Sequence, residues 1–373
     1  MAVSMIMSVQ SSLSFYLLCF ALMIVGKSSS GAIATVVPAV YIFGDSLLDS
    51  GNNNFLENQA KSNFAPYGID FPNGQPTGRA TNGATAGDFI AQFLGLPYPP
   101  AYLSLSEATK RITTTGINYA SGASGILPQT GTIRGDILTL DEQINYFKST
   151  VTNDLPRSYS TPKILSDTLA RSIFVISTGG NDYLNNYLQP HQFSNSSQTH
   201  TPRKFANLLL DTFEQQVTTI YKLGGRKFVV FGIGPMGCLP IVISRADPKP
   251  KTLCIEGVNN TVNIYNNGLL AILERLASRL QGFTFVQADL FTQIYAQFQD
   301  PVKFGYADGR TPCCKFGASG MCIPGQKPCS DRYNRLFYDA IHPVQLVNYR
   351  FARDCFFRNS TLCTPINIQQ LAL

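Results

Sequence analysis

The chain is predicted to be an α/β protein, a doubly wound three-layer α/β/α sandwich with a mostly parallel sheet. Two observations predict it. Short apolar runs alternate with longer segments whose apolar residues recur every three or four positions, the signature of strands alternating with helices. The runs are also apolar throughout rather than at every second residue, as strands covered by helices on both faces must be.

In chain order, Val36–Phe43 (VVPAVYIF) is the first expected strand, with Pro38 near its start. Ile173–Ser177 (IFVIS), Lys227–Gly232 (KFVVFG) and Phe283–Ala288 (FTFVQA) are the next three. Helical spacing is expected over Ala84–Leu94, just after Gly83, and over Leu138–Ser149. Thr201-Pro202 opens a longer helix that runs to Leu223 and stops at Gly224-Gly225, a polar cap and proline at the start and glycine past the end. From Val258 to Leu280, the residues Val258, Val262, Tyr265, Leu269, Ile272, Leu276 and Leu280 mark one helical face. The polar stretch Gln189–Thr201 reads as a surface loop, and Asp300–Ser330, rich in Gly, Pro and Cys, as a long loop stapled by disulfides.

Composition narrows the class. The chain has 373 residues, of which 44% are hydrophobic, enough for one large domain or two ordinary ones. Charged residues are 14%, against a usual share of about 25%. That argues against disorder, and the lack of Lys/Arg clusters argues against a nucleic-acid binder. The net charge of +6 is spread along the chain and reads as a mildly basic surface.

Residues 1–34 read as a cleaved signal peptide. Phe15–Val25 is an apolar run of the right length, and Ala32-Ile33-Ala34 supplies an A-x-A cleavage site, although no Lys or Arg precedes the run. The run is shorter than the ~20 residues needed to span a bilayer. Residues 35–373 are then expected to form a single domain, secreted to the extracellular space or cell wall. Cys19 would leave with the signal. The remaining Cys238, Cys254, Cys313, Cys314, Cys322, Cys329, Cys355 and Cys363 are an even set, which in an exported chain reads as disulfides. Cys238–Cys254 and Cys355–Cys363 suit local pairs, but the full connectivity stays open. Zinc is disfavoured, because the cysteine cluster has neither paired C-x-x-C knuckles nor a nearby His. Asn195, Asn259 and Asn359 head N-x-S/T sequons and are expected glycosylation acceptors.

The chemistry lies at the two ends of this domain. Gly44-Asp45-Ser46 follows the first strand, so Ser46 would project from the carboxyl edge of the sheet, where open α/β sheets bind ligands. Leu47-Leu48-Asp49 would begin a helix there, leaving the Ser46 N–H free for an oxyanion. Taken alone, the tripeptide is better explained as a helix cap. Asp339-Ala340-Ile341-His342, before Pro343, supplies a base and a carboxylate to orient it. Histidine occurs only three times, and His191 and His200 fall in the polar loop. Two small-residue segments can donate to an oxyanion: Asn118–Gly125, which allows close backbone approach, and Gly179–Asp182, through the Asn181 amide. No G-x-S-x-G elbow surrounds Ser46, Ser121 or Ser124, which argues against the α/β-hydrolase fold.

Four blocks in this order carry a resemblance: FGDSLLDSGNNN at 43–54, NYASGASGI at 118–126, GGNDY at 179–183 and DAIHP at 339–343. GRATNGATAGDFIA at 78–91, GIGPMGCLP at 232–240 and CCKFGASGMC at 313–322 extend it across nearly the whole mature chain. The sequence resembles the GDSL esterase/lipase family of plants, within the SGNH-hydrolase superfamily. The resemblance implies Ser46 as nucleophile, His342 as base, Asp339 as its orienting acid, and an oxyanion hole from Ser46, Gly122 and Asn181. Tyr338 stands where the family often has Trp, and Val344-Gln345 replaces the usual Thr-Glu. The expected activity is hydrolysis of carboxylic esters, of lipid or acylated cell-wall type, through an acyl-enzyme. An acyltransferase would use the same residues, and a silent glycan-binding protein is the reading from another class. The expected partner is a small-molecule or polymeric ester. No metal or cofactor, no nucleic acid, no integral membrane association and a monomeric chain are expected.

Overall fold

Five strands form one sheet in the order β1-β2-β3-β4-β5. They are β1 (Val40–Gly44), β2 (Ile173–Ser177), β3 (Lys227–Phe231), β4 (Thr284–Ala288) and β5 (Cys363–Thr364). The computed structural model describes residues 37–188, 196–357 and 361–373. β1 to β4 are parallel and unstaggered, with Val40 opposite Ile173, Ile173 opposite Lys227 and Lys227 opposite Thr284. β5 runs antiparallel to β4, with Ala288 opposite Cys363. The four parallel strands are those expected. The first begins at Val40 rather than Val36, past Pro38, which has no N–H to give a ladder.

Four helices fall on the expected segments: Ala86–Phe93, Leu140–Ser149, Pro202–Lys222 and Glu256–Arg279. The first three start at side-chain caps, whereas Ile255 before Glu256 offers none. The hydroxyls of Thr85, Thr139 and Thr201 accept from the N–H groups of Asp88, Glu142 and Lys204. Three further helices of ten residues or more, Pro162–Arg171, Leu290–Gln299 and Gln345–Phe357, were not anticipated in full. Pro202–Lys222 packs on Glu256–Arg279 and Leu140–Ser149, while Ala86–Phe93 packs on Gln345–Phe357. Helices cover the mostly parallel sheet, giving the three-layer α/β/α architecture of the resemblance.

One stretch outside the named strands decides where the site forms. Residues 115–121 run parallel to β1 on the side away from β2. The N–H groups of Val40 and Ile42 donate to the carbonyls of Thr115 and Ile117, and those of Tyr119 and Ser121 donate to Ile42 and Gly44. The chain therefore leaves β1 to one side and later returns on the other as β2. The carboxyl end of β1 is the point where connections diverge, and open parallel sheets leave a crevice there.

Gly44 sits at that point with φ +128°, and a Cβ there would lie 1.8 Å from the Ser177 carbonyl oxygen. Only glycine permits this approach of β1 to β2.

The described cysteines form four disulfides: Cys238–Cys254, Cys313–Cys329, Cys314–Cys322 and Cys355–Cys363. The two local pairs are as expected, and the Cys313–Cys329 cluster that resembled a zinc site spends its sulfurs on crosslinks. The Asp300–Ser330 loop is thus stapled twice. Residues 1–34, with Cys19, and the sequon residues Asn195 and Asn359 lie outside the described residues, as does His191. Asn259 does not suit a glycan. It is 1% exposed within the Glu256–Arg279 helix, its Oδ1 accepts from Gly237 N–H at 2.9 Å, and its amide donates to Glu256 Oε2 at 3.1 Å. Among the described residues no helix is long and apolar enough to cross a membrane.

Gly44→Ala is expected to cost at least about 2 kcal/mol, since it forces both left-handed strain and a backbone displacement. Denaturant unfolding of the two proteins measures this, and a loss below 0.5 kcal/mol, to use a rough threshold, contradicts it.

Candidate active site

Ser46 lies in the turn that follows β1. The turn is closed by Asp45: its carbonyl accepts from the N–H groups of Leu48 and Asp49, and its Oδ1 accepts from Leu47 N–H at 3.0 Å. The helix expected from Leu47 does not form. Asp49 ends the turn instead, drawing the next N–H groups, those of Gly51 and Asn52, onto its Oδ1 at 2.7 Å each. The consequence for Ser46 is as expected in one respect: its N–H makes no hydrogen bond in the described structure.

The other end of the chain meets it there. Ser46 Oγ is 2.8 Å from His342 Nε2. His342 Nδ1 is 2.8 Å from Asp339 Oδ2 and 3.0 Å from Oδ1. Asp339 Oδ1 also accepts from the N–H groups of Ile341 (2.8 Å) and His342 (2.7 Å), so the acid is tied to the turn that presents the base. That turn is clamped: Tyr338 N–H donates to the His342 carbonyl, Ala340 N–H to Gly320, and Val344 N–H to Leu336. Asp339 and His342 are 0% and 3% exposed. A buried carboxylate on Nδ1 selects the tautomer whose Nε2 is free to accept a proton from a hydroxyl.

Tyr67, to which the sequence reading gave no role, supports the acid, and Tyr338 supports Tyr67. Tyr67 OH donates to Asp339 Oδ2 at 2.6 Å and accepts from Cys322 N–H at 3.0 Å. Burial and the neighbouring Asp339 charge hold the Tyr67 hydroxyl well above its ordinary pKa, so it stays a donor. Tyr338, the departure from the family pattern, donates to the Pro66 carbonyl at 2.5 Å and packs edge-on to Tyr67. Gln345, the other departure, accepts from Ala84 N–H at 3.2 Å and so ties the following helix to the Gly83-Ala84 segment.

Asn181 follows β2 and lines the same crevice as Ser46 and His342. Its Nδ2 donates to the Ser124 carbonyl at 3.0 Å, leaving the second amide hydrogen uncommitted. Gly122 also reaches the crevice, but its N–H donates to Asp49 Oδ2 at 3.1 Å. The donor expected for the oxyanion hole is thus occupied in this structure by a carboxylate oxygen of the protein. Two of the three asparagines after Gly51, to which the sequence reading gave no role, brace this corner, and Asn54 ties to the Thr77 carbonyl instead. Asn52 Nδ2 donates to the carbonyls of Asn118 and Ala120, and Asn53 Nδ2 to those of Ala60 and Gly122. Their signal was the run itself, three amides beside a candidate nucleophile. His200 is half-buried with Thr199 Oγ1 2.9 Å from its Nδ1, and it lines neither cleft beside Ser46.

Residues 40–354 match the family model described as GDSL-like Lipase/Acylhydrolase. The chain belongs to this GDSL family. Its relatives include GDSL esterase/lipase 7 of Arabidopsis thaliana, 38% identical over 97% of this chain and 99% of that protein. Two further GDSL esterase/lipases of Arabidopsis thaliana are 41% identical over 90% of this chain and 86% of theirs, and 38% identical over 90% and 89%. At the level of this GDSL membership the protein is a carboxylic ester hydrolase, and the blocks that carried the resemblance are those that surround the crevice.

Three buried carboxyls near the site are raised by burial: Asp45 to about 7, Asp49 to about 6 and Asp182 to about 6. Asp182 is offset by the N–H groups of Leu127 and Ile126 and the Thr130 hydroxyl. Each ordinarily titrates at 3.8, so between about pH 4 and 7 the folded chain binds more protons than the unfolded one. Stability then falls as pH rises through that window. The melting temperature is expected to be about 2–5 °C higher at pH 5 than at pH 8, with a flatter profile in Asp45→Asn; a profile rising toward pH 8 contradicts the assignment. Tyr67→Phe removes a hydrogen bond to a charged acceptor, so kcat/KM toward a fluorogenic ester is expected to fall by about tenfold. An unchanged rate would show that Asp339 needs no such support.

Proposed function

We propose that this chain is a serine esterase or lipase that works through an acyl-enzyme. The continuous chain of contacts from Ser46 Oγ through His342 to Asp339 carries the reading. His342 Nε2 takes the Ser46 proton as Oγ attacks the ester carbonyl carbon. The imidazolium that forms is stabilised by the Asp339 carboxylate, itself held by Tyr67. The alcohol leaves with the proton returned by His342, and water, activated by the same base, releases the acid.

The oxyanion is received by the Ser46 N–H and the uncommitted hydrogen of Asn181. Gly122 serves as the third donor when its N–H turns from Asp49 to the substrate oxygen. Its present bond to a carboxylate oxygen supports that role, because the same N–H and the same short approach suit an oxyanion. Every group in this scheme belongs to the chain. Four disulfides favour an oxidising compartment, which supports export after removal of residues 1–34 and a place outside the cell or in the cell wall. Substrates of the lipid or acylated wall type fit an ester-cleaving crevice open to solvent.

Ser46→Ala is expected to lower kcat on acyl esters by on the order of 10⁴-fold or more, without loss of fold, because the remaining donors alone give little turnover. Purified oxidised protein, assayed on esters from acetyl to long-chain acyl and challenged with a fluorophosphonate, tests it. Retention of wild-type turnover, or a label on a residue other than Ser46, defeats the mechanism.

A further inference from the structure

Ser46 stands between two clefts that differ in charge. One is lined by Ile233, Met236, Leu239, Leu290, Ile294 and Phe337 and holds no cationic side chain. The other is also partly apolar, through Leu184, Ile241, Met321 and Ile341, but it holds Arg134 and Arg245. Ser46, Asn181 and His342 line both, so an ester at the nucleophile extends into each.

The arginine-bearing cleft carries an unbalanced charge. Arg134 is half-buried, and its guanidinium forms neither an ion pair nor a hydrogen bond among the described residues. Arg245 donates to the Ala318 carbonyl at 2.5 Å and meets no carboxylate. The arginines of the neighbouring segments are different: Arg79 is paired with Asp88 and Arg332 with Asp70, each at 2.7 Å. Asp49 is the one carboxylate lining this cleft among the described residues, and its oxygens are turned to the N–H groups of Gly51, Asn52, Asn53 and Gly122. Arg134 is half-buried and Arg245 exposed; partial burial lowers the pKa of both, and the Arg134 charge lowers that of Arg245 further. Two cations that disfavour one another, beside a reactive serine and without a counter-ion, form a ready anion site.

We propose that the substrate is an ester with a hydrocarbon acyl group, seated in the apolar cleft, and an alcohol half bearing an anionic carboxylate or phosphate, held by Arg134 and Arg245. The assignment rests on Ser46 as the nucleophile. Oγ bonds to the acyl carbon, the bond from that carbon to the alcohol oxygen breaks, and the alcohol takes its proton from His342 and departs on the arginine side. Water then supplies OH to the acyl carbon and a proton to Ser46 Oγ, so the products are a fatty acid and an anionic alcohol.

Matched octanoyl esters test this on the intact, oxidised protein: octanoyl glycerol 3-phosphate against octanoyl glycerol, and octanoyl galacturonate against the octanoyl ester of methyl galacturonate. For at least one pair, the charged ester is expected to show a KM about tenfold lower at low salt, with the preference shrinking as salt screens it. The pair that shows it identifies phosphate or carboxylate as the group held. Arg134→Gln and Arg245→Gln are each expected to reduce the charged-to-neutral ratio of kcat/KM about three- to tenfold, and Arg134→Lys to retain most of it. Wild-type ratios near one for both pairs, or ratios unmoved in both glutamine variants, overturn the proposal. If neutral esters are cleaved and charge has no effect, only this inference fails; if no ester is cleaved and a fluorophosphonate leaves Ser46 unlabelled, the nucleophile assignment fails with it.

Discussion

The backbone of Gly44 is where the molecule is fastened. Its N–H donates to Gln143 Oε1 at 2.8 Å, and its carbonyl accepts from Gln143 Nε2 at 2.9 Å, Ser124 Oγ at 2.8 Å and Ser121 N–H at 2.9 Å. β2 presses against it through Ser177, whose carbonyl receives the Asp45 N–H at 3.0 Å. One residue without a side chain thus joins β1, β2, the 115–125 segment and the Leu140–Ser149 helix. Ser46, Gly122 and Asn181 are carried by the first three of these segments or their continuations, so their mutual placement is set by a cluster of buried hydrogen bonds. Buried bonds of this kind are costly to break singly, because each leaves an unsatisfied group. That is the physical basis for a crevice that holds its shape before any ester arrives.

The base arrives by a different route. The Asp339–His342 turn is far in sequence from β1 and is not part of the sheet. It is held from outside by the stapled loop: Cys313 and Cys314 N–H groups donate to the carbonyls of Phe337 and Tyr338, and Cys322 N–H reaches Tyr67. Nucleophile and base are therefore supported by separate structures, one of sheet and amides, one of crosslinks and tyrosines, that meet through the 2.8 Å contact of Ser46 with His342.

The parallel strands were legible because a strand buried on both faces must be written as an unbroken apolar run, and four such runs exist. The capped helices were legible from period and punctuation, as at Thr201-Pro202. The two-residue β5 was not, since two residues carry no period and its position is imposed by the Cys355–Cys363 bond and by pairing with β4. Ser46, Asp339 and His342 stood out because few residue types can do their chemistry and histidine is scarce here. Tyr67 gave no such sign: a tyrosine in a loop looks the same whether its hydroxyl meets water or a buried acid. The turn after Ser46 was misread for a related reason. Leu47-Leu48 favours a helix locally, but the Asp49 carboxylate offers the next N–H groups a better acceptor than a continuing helix would. Likewise, the Asn259 sequon is a three-residue pattern blind to the helix that buries it.

The margins of the sheet bear on self-association. On one side, β1 is flanked by residues 115–121, which cover it as a parallel neighbour and then turn away toward the crevice. On the other, β4 is met by only two residues, after which Pro365 has no N–H to offer a neighbour. Neither margin presents the long row of open N–H and C=O groups on which a second copy could extend the sheet. For a chain this apolar and this sparsely charged, that closure guards against edge-to-edge aggregation where charge repulsion alone would be weak.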